Sequence, residues 1–259
     1  MVKNMNILLS GISGYMGREI VKLGESAYRG ASVVMGVCAD KYESEAIKIY
    51  PSFDKINDCE GVDCIIDFSH HSLTESLISF AKKNKIPAVI ATTGHTDSEL
   101  SVIKNAANYI PVFHSGNMSI GISLLCQLAK TVAAAMPEAD IEIVEKHHSR
   151  KLDAPSGTAL MLAESIKEAR PSAFVNTGRE GHGKRVREEI GIHSIRLGNI
   201  VGEHEVIIGT PSQTITLKHE AHDRSLFAEG AICAAEFLVG MPKGLYDMKS
   251  IIKSQSNKK

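Results

Sequence analysis

The segment MNILLSGISGYMGREIVKL, residues 5–23, constrains the fold more than any other part of the chain. An apolar run from Ile7 to Leu9 leads into Gly11, Gly14 and Gly17, and a stretch with Ile20, Val21 and Leu23 on one helical face follows. That order predicts a strand, a glycine turn and a helix. Glycines permit the tight turn and a close approach of backbone to ligand, and a helix start attracts phosphate, so the context points to a dinucleotide. Ser13 occupies the place of the second glycine of the usual fingerprint, which makes the pattern GxxGxxG and shifts weight from spacing to context. A second apolar strand, ASVVMGVCADKY, ends in Asp40 and Lys41, about twenty residues past the last glycine, where an acidic partner for the ribose hydroxyls is expected.

The alternation continues. Strands are predicted at 62–68, 87–94 and 110–117, with helices at 72–85 and from Asp97 to Asn108 between them. Strands and helices in strict alternation imply crossover connections and a parallel sheet, whose ligands bind beyond the carboxyl ends of the strands. Phe68, Ser69, Thr92, Thr93, Gly94 and Asn117 therefore fall on one edge, with Thr92 to Gly94 placed to line a nicotinamide.

After Met118 the pattern changes. A long helix (119–136) precedes a strand ending in two histidines, a further helix, and three strands at 190–197, 204–209 and 214–220 with no helix between them. Strands in succession predict an open, largely antiparallel or mixed sheet in a second domain. The expected division is 1–117 with 225–259 for the dinucleotide domain and 118–224 for the other. The last helix, 225–240, returns to the first domain, because a parallel sheet buries both faces. NTGREGHGKRVREE (176–189) reads as a mobile surface loop with arginines available to an anion, and SQSNKK (254–259) as a frayed tail.

The passage EIVEKHHSRKLDAPSGTA, 142–159, carries the chemistry. A strand runs out toward His147 and His148, whose side chains point to opposite faces, so one is the catalyst and the other a neighbour. Pro155 is read as the first helical position, which puts Ser156, Gly157 and Thr158 in a first turn whose N–H groups and dipole attract a carboxylate or phosphate. Lys151 lies just before that turn, placed to neutralise the same anion.

Composition bounds the rest. Twenty-nine Lys and Arg against 30 Asp and Glu leave no basic field for nucleic acid, and no apolar run is long enough for a membrane span. Five cysteines without a CxxC pair, and histidines without HExxH, suggest a reduced cytoplasmic protein with no structural metal. The short amino-terminal apolar run is read as a buried strand, not a signal peptide.

These motifs resemble those of the 4-hydroxy-tetrahydrodipicolinate reductase (dihydrodipicolinate reductase) family of diaminopimelate and lysine biosynthesis. GISGYMGR, CIIDFS, ATTG, SGNMSIG, the 142–159 passage, REG, IVGEHEV and GLYDM occur in family order over nearly the whole chain. The resemblance implies a Rossmann-like parallel-sheet domain plus an α+β substrate and oligomerisation domain with an open mixed sheet. It implies NADH or NADPH as cofactor, a small cyclic dicarboxylate substrate and a homotetramer formed through the second domain's sheet. It assigns His147 as proton donor, with Lys151 the other catalytic residue, and gives the substrate carboxylates to Lys151, His148, Ser156, Gly157 and Thr158. Gly11, Met16, Gly17, Asp40, Lys41, Phe68, Thr93 and Gly94 match nucleotide contacts; Gly14 joins them from the glycine turn, Thr92 and Asn117 from the sheet-edge reading, and Arg224 matches a cofactor-side arginine. Tyr15 and His70 stand where members often carry arginines, and Ala91 replaces a glycine, so the expectation is use of both cofactors with NADH favoured. Two rivals share the architecture. A nucleotide-sensing protein has no need of the His-Lys cluster, and a semialdehyde dehydrogenase needs a cysteine beside the nicotinamide, which the sequence lacks.

Overall fold

A computed structural model describes residues 4–256. The first run is β1 (Met5–Ser10), α1 (Tyr15–Glu25), β2 (Ala31–Val37), β3 (Lys48–Tyr50), β4 (Cys64–Asp67), α2 (Thr74–Asn84), β5 (Ala88–Ile90), α3 (Asp97–Ala106) and β6 (Pro111–His114). The middle of the chain forms α4 (Ile120–Ala135), β7 (Asp140–His147), α5 (Gly157–Lys167), β8 (Phe174–Asn176), β9 (Glu189–Arg196), β10 (Gly202–Thr210) and β11 (Gln213–Ala221). It closes with α6 (Ser225–Leu238), β12 (Gly244–Tyr246) and α7 (Met248–Ser256). Two compact units result, one from the chain up to Ser119 together with that from Ser225 onward, the other Ile120–Arg224.

The first unit is a seven-stranded sheet in the order β12-β6-β5-β4-β1-β2-β3, with every neighbouring pair parallel. Strand order turns back between β1 and β4. Ile7, Leu8 and Leu9 of β1 are wholly buried, as a strand covered on both faces must be. Leu77, Phe80 and Ala81 of α2 and Ile103 and Ala106 of α3 pack with Leu8, Ile65 and Val112 in one core cluster. Helix α6 packs on α1 and on β4, β5 and β6, as expected of a returning helix.

The glycine turn sits at the switch in strand order, and space dictates its residues. Gly11 has φ +82°, and a Cβ there would stand 2.5 Å from the Phe68 carbonyl oxygen. A Cβ on Gly17 would stand 2.3 Å from the Gly11 carbonyl oxygen. The last glycine thus lets α1 lie directly on the turn.

In the second unit α4 and α5 cover one face of a five-stranded mixed sheet, β11-β10-β7-β9-β8, in which β10 is antiparallel to β7 and β11 while β9 is parallel to β7 and β8. Along β7 every second residue points inward: Ile141, Ile143, Glu145 and His147. The period is that of an ordinary half-buried strand, but its last two inward positions are charged or titratable.

The structure corrects three expectations. Pro155 is not the first helical residue: Ser156 is the cap, its Oγ accepting from the Ala159 N–H at 3.2 Å, and the helix begins at Gly157. The arginines of 176–189 are committed to structural pairs: Arg179 to Glu189 at 2.5 Å, Arg185 to Asp140 at 3.1 Å and to the Ile141 carbonyl at 2.8 Å, and Arg187 to Glu138. They fasten the loop to the starts of β7 and β9, about 20 Å of strand from His147. Of the tail, residues 254–256 continue α7, and 257–259 lie outside the described residues.

Gly17→Ala is expected to destabilise the protein by about 1–3 kcal/mol, because the methyl group must push α1 off the turn. Gly183→Ala, with nothing within 4 Å of the new carbon, should stay within about 0.5 kcal/mol. Urea unfolding of both variants measures the difference; equal midpoints would show that the turn yields freely.

Candidate active site

On the edge of the first sheet the nucleotide candidates gather around the glycine turn. Gly14, exposed, caps the eleven-residue α1 with an extended backbone, and Met16 in its first turn is half-buried. Asp40 lies three residues beyond β2 and accepts a hydrogen bond from Ser13 Oγ at 3.3 Å, which brings the carboxylate to the turn. Lys41 is exposed and paired with Glu43 at 3.0 Å. Phe68 follows β4, its N–H donating to the Ser10 carbonyl at 3.0 Å. Thr93 and Gly94 are exposed just past β5, Gly94 at φ +81°. Half-buried Asn117 accepts from the Ser119 N–H at 2.8 Å.

Thr92 differs from its neighbours. It is buried, and its hydroxyl donates to Asp67 Oδ2 at 2.7 Å while Ser69 Oγ donates to Oδ1 at 2.6 Å. Asp67 therefore ties the ends of β4 and β5 together, and Thr92 braces the edge from beneath. A crowded turn only glycine can make, an open helix start and an acidic group beside them fit a dinucleotide.

The second unit collects the other candidates at the carboxyl end of β7. His147, its last residue, is buried; Nδ1 lies 2.5 Å from Glu145 Oε2, and its ring stands edge-on to His204 of β10 with centroids 5.1 Å apart. Burial pushes the His147 imidazole below its usual range and Glu145 pulls it up, while Lys151 and Arg196 press it down again. His148, the residue after β7, is half-buried. Its Nε2 is 3.3 Å from Arg224 Nη2, so Arg224, matched by resemblance to the cofactor side, lies within this unit beside a substrate-side histidine. The His148 imidazole is also lowered, by burial and then by Arg150, Arg224 and Lys151.

After β7 the chain is held to the turn between β9 and β10, the His148 N–H donating to the Ile200 carbonyl at 2.8 Å and the Ser149 N–H to the Gly198 carbonyl at 3.1 Å. This bracing fixes the path to Lys151, whose ammonium pairs with Asp153 at 2.8 Å, and on to the Ser156 cap. Gly157 is exposed with nothing within 4 Å of where a Cβ would stand, and Thr158 is half-buried. An uncrowded helix start beside a lysine and a histidine suits a small anion with an acid–base step to undergo.

Three participants escaped the sequence reading. Glu145 is wholly buried beneath His147, Arg196 of β9 reaches it from the neighbouring strand, and His204 meets Ser156 Oγ through Nε2 at 3.1 Å. Glu145 was discoverable, since a carboxylate two residues before a histidine in a strand shares its face. Arg196 and His204 reach the site only through strand pairing, Arg196 opposite His147 in the β7–β9 register.

Two family models match the chain end to end: dihydrodipicolinate reductase, N-terminus, over residues 5–118, and dihydrodipicolinate reductase, C-terminus, over residues 121–252. The chain belongs to the dihydrodipicolinate reductase family. It is 45% identical to 4-hydroxy-tetrahydrodipicolinate reductase of Clostridium novyi (strain NT), across 96% of this chain and 99% of that protein. The same-named protein of Caldanaerobacter subterraneus subsp. tengcongensis is 41% identical over 96% of this chain and 98% of its own length. A solved dipicolinate-bound dihydrodipicolinate reductase from Paenisporosarcina sp. TG-14 superposes with a TM-score of 0.78 at 25% identity, covering 95% of this chain and 98% of that one. As a member of this family the chain is an oxidoreductase, and its N-terminal domain is a nucleotide-binding Rossmann domain. The C-terminal family model runs on to residue 252, although the segment from Ser225 packs in the first unit.

Burial, with help from His147, drags the His204 imidazole down to about 3. An unfolded histidine takes up its proton near pH 6.5, so between these values the unfolded chain binds more protons than the folded one. The stability held above pH 6.5 is therefore lost as pH falls toward 3, by up to about 4 kcal/mol. His204→Gln should lose about 5 °C less in Tm than wild type between pH 7.5 and 4.5. Parallel pH–Tm curves would show that His204 is not the group resisting protonation.

Proposed function

We propose that the protein reduces 4-hydroxy-tetrahydrodipicolinate, by way of dihydrodipicolinate, to tetrahydrodipicolinate in diaminopimelate and lysine biosynthesis, with His147 as the proton donor. The observation that carries this reading is the meeting, within one unit, of His147, Lys151 and the Ser156–Thr158 helix start. The solved relative holds dipicolinate, a planar ring with two carboxylates, and those are the groups a lysine and a helix start would receive. Gly11, Gly14, Met16, Gly17, Asp40, Lys41, Phe68, Thr93, Gly94 and Asn117 would hold a nicotinamide dinucleotide, which when bound in its reduced form would supply a hydride; Thr92 supports that edge through Asp67.

The chain's own groups do the rest. Lys151 and the Gly157–Thr158 turn fix the ring's carboxylates, with His148 as a further hydrogen-bonding partner and Arg224 beside it as a further positive charge. His147 gives a proton to the reduced ring and offsets the negative charge that develops there. A bound dianion favours imidazolium, which counters the burial that lowers the pKa of His147 in the ligand-free protein. A homotetramer formed through the open face of the five-stranded sheet belongs to this proposal; Val144, Lys146, Glu203, Glu205 and Lys218 lie on that face. So does a cytoplasmic location, which fits five free cysteines.

Oxidation of reduced cofactor with the cyclic precursor generated in situ tests the reaction. His147→Gln should lower kcat by about 100-fold with little change in KM, whereas His148→Gln should act mainly through KM. Lys151→Ala should weaken substrate by about 1.5–3 kcal/mol and leave NADH binding intact. Wild-type kinetics in all three variants would exclude the site.

The cofactor preference is proposed to favour NADH. Asp40 accepts ribose hydroxyls and repels a 2'-phosphate, and Lys41, which would attract one, is already paired with Glu43. A kcat/KM ratio tenfold or more in favour of NADPH would overturn this assignment.

A further inference from the structure

Glu145 is a charged group where an apolar one would serve the fold better. It is wholly buried, on the inward row of β7 whose two preceding members are Ile141 and Ile143. A buried ion pair is poor value as a stabiliser, because desolvation consumes most of the attraction and packed apolar side chains hold a sheet as well. What the carboxylate touches accounts for it. Oε2 lies 2.5 Å from His147 Nδ1 and accepts from Arg196 Nη1 at 2.9 Å; Oε1 accepts from Arg196 Nη2 at 2.7 Å and from the Ser156 N–H at 3.1 Å.

We propose that Glu145 is the positioning residue of the reaction: it fixes His147 in the tautomer that leaves Nε2 to carry the transferred proton, and it sets that ring against the helix start that receives the substrate. The inference rests on the reading of His147 as proton donor. An ionised carboxylate only accepts, so the hydrogen on His147 must sit on Nδ1. Nε2 is then the free nitrogen, and the chain keeps room beside it: a Cβ on Gly202 would stand 3.1 Å from that atom. Protonation of Nε2 gives an imidazolium whose charge Glu145 balances, and transfer of that proton returns the neutral ring with Nδ1–H in place.

The same carboxylate anchors the other half of the site. Its bond from the Ser156 N–H fixes the cap of α5, and Arg196, held on both its oxygens, also donates to the Asp153 carbonyl at 2.5 Å. Asp153 in turn pairs with Lys151. Proton donor, helix start and lysine are thereby referenced to one buried group. Burial alone would raise the Glu145 pKa, but hydrogen bonds from Arg196, Ser194, His147 and the Ser156 N–H outweigh it and hold the carboxyl at about 2. It stays an anion at any working pH and does not compete for the proton. The groups facing His147 are Glu145 on its own strand, Arg196 from β9, His204 from β10 and Lys151 from the following loop; of these only Glu145 raises its proton affinity.

The test compares wild type, Glu145→Gln, Glu145→Asp, His147→Gln and the Glu145→Gln/His147→Gln double variant, measuring kcat and KM from pH 6 to 9 with NADH titration alongside. Glu145→Gln should lower kcat at pH 7.5 by about 10- to 100-fold, with the NADH Kd unchanged. The deficit should shrink toward pH 6, since a ring stripped of its counter-ion protonates at lower pH, and Glu145→Asp should recover part of the loss. Added to His147→Gln, the change should cost less than threefold in kcat, because the proton donor is gone and what Glu145 still positions, the helix start and the lysine, acts through KM. A deficit that is the same at every pH and multiplies fully with His147→Gln overturns the proposal, as does wild-type kcat in Glu145→Gln. If His147→Gln itself retains wild-type kcat, the proton-donor reading fails instead. Should Glu145→Gln not fold, nitrogen NMR of 15N-histidine-labelled wild type decides: a neutral His147 with hydrogen on Nδ1 supports the assignment, and hydrogen on Nε2 overturns it.

Discussion

A negative charge sealed away from water at the end of a sheet's apolar row is the constraint to which the second unit answers. Such a group is tolerable only when its oxygens are filled by donors, and each donor here comes from a different part of the chain. Arg196 must arrive from β9 in the register that places it opposite His147, and Ser156 must present its N–H from the start of α5. A slip of one residue between β7 and β9 would turn Arg196 to the other face and leave Glu145 bare. The register of the sheet and the geometry of the site are thus one requirement.

The first unit is governed by closeness. Gly11 lies against the Phe68 carbonyl and Gly17 against Gly11, so turn, strand end and helix start are stacked with no side chain between them. The helix dipole is consequently brought directly to the place where strand order reverses. Asp67 steadies that edge from inside by holding Ser69 and Thr92, which is why one threonine of the Thr92–Thr93 pair is spent on structure.

Long elements with strong periodicity were legible from residues alone: β1 with α1, the alternation through β6, α4, and the strand succession β9 to β11. The three-residue strands β3, β8 and β12 were not, because a period of two has no room to show itself in three residues and, unlike the equally short β5, they stand outside the strand–helix alternation that places a strand by context. Lys151, Ser156 and the two histidines were legible because they lie within ten residues of one another. Arg196 and His204 were not, since only strand pairing brings them there. The arginines of 176–189 misled for a related reason: their charge was visible, but the Asp140, Glu138 and Glu189 carboxylates that engage them were not.

The return of α6 and β12 to the first sheet has a consequence for the chain as it is made. Synthesis runs from the amino end, and the face of β4, β5 and β6 on which α6 packs has already emerged when β7 to β11 are being added. That face stays uncovered until the segment from Ser225 leaves the ribosome, whereas Ile120–Arg224 is a single continuous stretch that has all its own strands sooner. The unit begun first is therefore completed last. A nascent chain stalled before residue 225 would present a finished substrate half and an open, adhesive nucleotide half, the kind of surface that chaperones bind.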